Sequence, residues 1–193
     1  MVGATFAVTM SETTSKSNLT ILVVEATSTS AKVSTDSNFD SRSTALSFGS
    51  KEILGESSIW LDLCKNAEAI RSINVSDKGR LGTTTISSEE QNVEALGFVI
   101  ENKDLGLTLQ NRLTASTKVH FLVSANIKSV NPRADGMSLR VGSGECDWIV
   151  TSTLLVLADG GRSPVCSDLG ISAVNHAYNQ SAIVSNVAFE KAH

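Results

Sequence analysis

The sequence predicts an α/β domain with an antiparallel insertion, on three observations. Residues 19–26, LTILVVEA, form a near-continuous apolar run that ends in an acid, as in a parallel strand buried on both faces. Residues 153–158, TLLVLA, form a second such run, stopped by Asp159-Gly160-Gly161. Between them, residues 125–131, 137–141 and 147–150 alternate apolar and polar, and both connectors carry glycine, as hairpin loops do.

The other elements follow in order. Ala4, Phe6, Ala7 and Met10 recur at helical spacing, so an amphipathic helix begins at the first residue without a capping residue before it. Residues 27–40 are rich in Ser, Thr and Asp without periodicity and read as a loop. Residues 43–59 read as a helix with Leu46, Ile53 and Leu54 on one side, and 60–69 as a second short helix. Residues 70–76 and 82–87 read as strands around the turn Asp77-Lys78-Gly79-Arg80. Phe98 to Ile100 enter a helix over 103–116, where Leu105, Leu109 and Leu113 share a face. Residues 118–122 are a strand candidate, 162–169 a short helix and 181–189 a final strand.

Composition narrows the function. The chain has 193 residues, 41% hydrophobic and 19% charged, with a formal charge of −4. That apolar content suits a folded domain rather than a wholly disordered chain. Without a basic excess there is little to neutralise phosphates, so nucleic acid is not an expected partner. No apolar run approaches the ~20 residues of a membrane span. The three cysteines, Cys64, Cys146 and Cys166, are odd in number and show no CxxC spacing, and the histidines are scattered. This reads as a reduced, intracellular protein without a structural metal.

Two constellations carry chemistry. In a dinucleotide-binding βαβ unit, glycines between strand and helix let the backbone approach a pyrophosphate at the helix amino end. An acid ~20 residues later, at the end of the second strand, accepts hydrogen bonds from the ribose. Gly3 and Glu25 have that spacing, with Gly3 as the last glycine of the turn. Taken alone, they read as a helix-start glycine and a surface glutamate. Asp159 and Gly160 set a carboxylate and a glycine turn after an apolar strand, where open α/β sheets bind ligands. They also read as an ordinary Asp-Gly turn.

In order and spacing, the motifs resemble the flavin-dependent aromatic hydroxylases of ubiquinone biosynthesis, a branch of the para-hydroxybenzoate hydroxylase-like monooxygenases. Met1-Val-Gly-Ala is similar to the tail of a GGGMVGA-type turn, and Val24-Glu25-Ala26 to the ribose-binding acid. FDSRSTALS at 39–47 is similar to the FDxRxxALS segment and includes Arg42. VSDKG at 75–79 is similar to VSDRG, GFVIEN at 97–102 to GxVVEN, and ADGGRS at 158–163 to ADGxxS. Tyr178, Gln180, Asn186 and Val187 resemble the start of the substrate domain. The FDSR and VSDKG forms resemble most the 2-polyprenyl-6-methoxyphenol hydroxylase subgroup.

The resemblance implies an incomplete Rossmann-like FAD-binding domain over 1–172, truncated at both ends, with its central first strand missing. Residues 125–150 would be a β-meander insertion and 70–97 would contribute strands toward the substrate side. Residues 173–193 would begin the substrate-domain sheet. The implied cofactor is FAD, with NAD(P)H as cosubstrate and O2 and a polyprenylphenol as substrates. The implied cofactor-binding residues are Gly3, Glu25, Arg42, Asn102, Asp159 and Gly160. No catalytic acid–base pair, nucleophile or metal is expected. By the same resemblance the protein is cytoplasmic, with peripheral contact to the inner membrane and to other ubiquinone-biosynthesis proteins. Departures are the absent leading glycines, the absent later GD-type motif, Cys166 at a usual arginine and Gly106 where relatives carry a larger side chain. These leave two alternatives: a remnant without independent catalysis, and a flavin oxidoreductase acting on another substrate.

Overall fold

The computed structural model describes residues 1–13, 18–27, 42–161, 163–181, 183 and 190. Most of the expected 27–40 loop, most of the final strand at 181–189, Arg162, Asp40 and the Asn186-Val187 motif lie outside the described residues. In chain order the elements are α1 (Val2–Thr13), β1 (Ile21–Glu25), β2 (Ser43–Ser47), α2 (Phe48–Glu56), α3 (Ile59–Leu63), a 3-10 turn (Cys64–Asn66) and β3 (Glu68–Ile70). Then come β4 (Ser72–Ser76), β5 (Thr83–Ser87), β6 (Gly97–Glu101), α4 (Asn102–Ala115), β7 (Val119–Val123), β8 (Asn126–Arg133), β9 (Gly136–Ser143), β10 (Cys146–Ser152) and α5 (Pro164–Asp168). The chain divides into two compact units, Met1–Thr35 with Leu113–Val184 and Asp36–Arg112 with Ser185–His193.

In the first unit, β1 and β7 pair in parallel from Ile21 opposite Val119 to Glu25 opposite Val123. β8, β9 and β10 form the expected antiparallel meander, with β9 in the middle. Ala125, Val130, Leu139, Val141 and Val165 make the core, and Val24, Leu122, Leu155 and Leu157 pack against it. α1 buries Ala7 and Val8, whereas Phe6, expected on the inward face, is 45% exposed. The buried face is therefore turned from the one the spacing suggests.

Two expectations change here. β1 is only partly buried, with Leu22 exposed, because β7 is its sole strand neighbour among the described residues. Residues 153–158 form no strand. Their apolar alternation survives, with Leu155 and Leu157 inward and Leu154 and Val156 exposed. A strand is defined by its ladder, and no described strand offers this segment a partner edge.

In the second unit, β6 runs between β2 and β3, antiparallel to both. The helix expected from residue 43 begins only at Phe48, since residues 43–47 pair with β6 as β2. Ser47 caps α2, its side-chain oxygen accepting from the Ser50 amide at 3.2 Å. Trp60 meets Phe98 edge-on at 4.7 Å between ring centroids. Arg112 of α4 donates to the Asp62 carboxylate of α3 at 2.8 Å and to the Ser58 carbonyl at 3.1 Å. Leu105, Leu109 and Leu113 are all buried, as their spacing predicts. β4 and β5 form the expected hairpin, from Ser72 opposite Ser87 to Ser76 opposite Thr83.

Candidate functional site

The first unit holds four of the six residues singled out. Gly3 lies in the first turn of α1, and a Cβ placed there would stand 3.1 Å from the Ala158 Cβ. The start of α1 and the ADG segment therefore approach closely at this glycine. The first turn of α1 carries no acid. Its leading amides lack partners within the helix, so this end favours an anion.

Glu25 closes β1 and is half-buried. Its carboxylate accepts from the Thr27 amide at 2.9 Å, and its backbone carbonyl accepts from the Ala125 amide at 3.1 Å. The side chain is thus held at the strand end by the turn that follows it. Asp159 and Gly160 are exposed. Gly160 has φ +95°, a conformation side chains rarely adopt, so glycine is required there by the backbone. Ser163 caps α5, accepting from the Cys166 amide at 3.3 Å, and Val165 anchors that helix in the core.

Arg42 and Asn102 belong to the second unit. The Asn102 amide donates to the Arg42 carbonyl at 3.0 Å. The Thr44 hydroxyl donates to the Asn102 side-chain oxygen. Asn102 therefore joins the start of α4 to the strand that follows Arg42. Gly106, one turn along α4, has open space at its Cβ position.

The structure adds a reason for a glycine that the motif alone does not give. A Cβ at Gly97, the first residue of GFVIEN, would lie 2.3 Å from the Leu46 carbonyl oxygen. The signal was in the sequence, as a glycine at the head of an otherwise apolar strand. A depression of about 160 Å3 lined by Arg133, Asp135, Met137, Thr151, Ser152 and Thr153 contains none of the six residues. It is smaller than the ~300 Å3 at which ligand pockets usually begin. Among the described residues there is no cluster that would hold a metal ion and no helix long and apolar enough to cross a membrane.

The chain resembles known proteins in sequence and in fold. The chain is 27% identical over 194 residues to the ubiquinone hydroxylase UbiL of Rhodospirillum rubrum, covering 100% of this chain and 43% of that one. It is 26% identical over 162 residues to the 3-demethoxyubiquinol 3-hydroxylase of Escherichia coli, covering 80% of this chain and 39% of that one. The chain is thus similar in sequence to hydroxylases of ubiquinone and demethoxyubiquinol. It spans less than half the length of these relatives. No family model matches it. The fold agrees: PqsL of Pseudomonas aeruginosa, a probable FAD-dependent monooxygenase, superposes with a TM-score of 0.69 over 91% of this chain and 44% of that one, at 16% identity. The mixed α/β fold is therefore shared with that structure.

Proposed function

We propose that the chain is the flavin-binding part of an FAD-dependent, NAD(P)H-using monooxygenase that hydroxylates a polyprenylated phenol in ubiquinone biosynthesis. The observation that carries this reading is the close approach of Gly3 to Ala158, which brings the expected phosphate turn and the ADG segment together in one unit. The residues fit the cofactor. The amino end of α1 would take the pyrophosphate, and Glu25 would take the ribose. Asp159 and Gly160 would line the lower flavin side, while Arg42 and Asn102 are cofactor-binding candidates by resemblance alone. Bound FAD would supply the redox chemistry between NAD(P)H, O2 and the phenol. The chain's own task is to bind it, orient it and exclude water.

In this reading, residues 1–172 form a Rossmann-like domain and 173–193 open the substrate domain. In this reading a central strand would stand between β1 and residues 153–158. Among the described residues β1 pairs only with β7, and residues 153–158 pair with no strand. The same observation favours a second reading, a chain with no independent catalysis. Backbone groups left unpaired beside apolar side chains weaken the sheet on which the flavin would rest. A polyprenyl substrate resides in a bilayer, so the enzyme would meet it as a cytoplasmic protein touching the inner membrane, with other proteins of the same pathway as partners.

Flavin titration tests both readings. The chain is measured alone and with a first strand grafted from the Rhodospirillum rubrum relative, followed by NAD(P)H oxidation with polyprenylphenols. Weak FAD binding alone and clear binding with the graft support the proposal. FAD binding without hydroxylation would support only the flavin fold. No FAD binding in either form overturns the proposal.

A further inference from the structure

The chain contains two Asp-Gly pairs, Asp135-Gly136 and Asp159-Gly160, and no Asn-Gly pair. Alanine precedes both, so the two sites share the tripeptide Ala-Asp-Gly. At such a pair the glycine amide nitrogen can attack the aspartate side-chain carboxyl carbon and close a five-membered ring. The missing Cβ of glycine leaves that approach open. Ring closure also needs the peptide between the two residues to rotate, and here the structure separates the sites.

Asp135 lies in the turn between β8 and β9, and Gly136 begins β9 in register with Arg133 of β8. A Cβ at Gly136 would run into the Ser152 carbonyl oxygen and stand 2.9 Å from the Thr153 Cα. That glycine is therefore pressed against backbone at the end of β10. The Asp135 carboxylate also meets Arg133 at 3.1 Å, but both side chains are well exposed and the pair is worth little. Ladder and packing hold this peptide, so ring closure requires the end of the meander to open first.

Asp159 and Gly160 are exposed and lie in no helix or strand. Nothing stands within 4 Å of the Cβ position of Gly160 or of Gly161. Among the described residues no hydrogen bond or ion pair restrains Asp159 or Gly160. Leu157 before the pair packs on the core, and Val165 after it is buried there. Rotation of the Asp159–Gly160 peptide therefore breaks no ladder and moves no core side chain.

We propose that Asp159 is a site of spontaneous backbone isomerisation, through a succinimide to isoaspartate, and that Asp135 is protected from it. The Gly160 nitrogen bonds to the Asp159 side-chain carboxyl carbon. The amide proton and the carboxyl hydroxyl leave as water. Water then adds to a ring carbonyl. Opening at the backbone carbonyl leaves the chain running through the side-chain carbon, with one extra backbone atom and a displaced carboxylate. Water lost equals water gained, and nothing is oxidised or reduced. The consequence for cofactor binding rests on the proposed function: the carboxylate beside the flavin would move as the protein ages. The test below contains no flavin, so the two ideas fail separately.

The whole chain is aged in warm neutral buffer made with water enriched in the heavy oxygen isotope, then digested in ordinary water. Each ring opening fixes one solvent oxygen, and electron-transfer fragmentation distinguishes isoaspartate from aspartate. Isotope and isoaspartate should accumulate at Asp159 about ten-fold faster than at Asp135, because the rate follows the population of open backbone. In strong urea the two sites should converge, since only their folded surroundings differ. Asp159→Glu should abolish the signal at 159, because a longer side chain closes a less favourable ring. Circular dichroism verifies that the variant and the aged protein remain folded. If Asp159→Glu unfolds, the comparison of the two native sites decides alone. Equal rates in the folded chain, faster conversion at Asp135, or conversion of Asp159 only in urea overturns the proposal.

Discussion

A side chain on Gly3 would stand 3.1 Å from the Ala158 Cβ, so the start of α1 and the ADG segment are spaced for a glycine. Two effects oppose each other in Gly3→Ala. Alanine gains up to about 1 kcal/mol in helix propensity and loses a comparable amount to crowding. The net change in urea unfolding should be under ~1 kcal/mol. Gly3→Val adds branches with nowhere to go and should destabilise by about 1–3 kcal/mol. A Gly3→Val midpoint equal to wild type would show that the helix can move away from Ala158.

Lys51 of α2 forms ion pairs with Glu52 and with Glu94, each at 3.0 Å. Hydrogen bonds from its ammonium, first to Glu52 and then to Glu94, hold its pKa above the ordinary 10.5. The sign follows from the raised value. The contribution to stability is fully present below the unfolded pKa and disappears as pH rises through the folded one. Thermal melts of wild type and Lys51→Met should therefore differ at neutral pH and converge at strongly alkaline pH. The ammonium also stands 5.6 Å from the Phe48 ring centroid, a contact that goes with the charge, so a gap that persists there would mean that the lysine stem contributes by packing.

The meander and the β4–β5 hairpin were legible because their signals are local: alternation, then a turn with glycine. The leucines of α4 were legible for the same reason. β2 was not, because STALS has no strong strand pattern and becomes a strand only by pairing with β6, a partner remote in sequence. Residues 153–158 show the converse. Their apolar run reads as a strand, yet a ladder needs a neighbour. Of the candidate site residues, Gly3, Glu25, Asp159 and Gly160 were drawn from spacing. Arg42 and Asn102 came only through resemblance, since their mutual hydrogen bond crosses from β2's start to α4.

Gly97 provides a sharper steric test. Its absent side chain leaves room for the Leu46 carbonyl, which a Cβ would meet at 2.3 Å. The obstructing atom is backbone and cannot rotate aside. Gly97→Ala should force β2 and β6 apart and destabilise by about 3 kcal/mol. Hydrogen exchange should rise at the β2–β6 ladder and stay unchanged in the β8–β9 ladder. Equal exchange in both ladders before and after substitution would refute the steric account.

Gly142 of β9 lies under an ion pair that crosses it from strand to strand. Lys128 of β8 reaches Asp147 of β10 at 2.6 Å, and a Cβ at Gly142 would lie 2.3 Å from the Lys128 Cε. Here the obstructing atom belongs to a flexible side chain, so alanine should displace the lysine rather than the strands. The pair is partly exposed, and Arg140 also approaches Asp147 at 3.6 Å, which limits the loss. Gly142→Ala should therefore destabilise by under ~1 kcal/mol. Most of that should vanish when Lys128→Ala is already present, because the lysine is what the new methyl displaces. A double-mutant cycle measures this coupling, expected at about 0.5 kcal/mol. Additive effects would mean that the methyl strains the strands themselves.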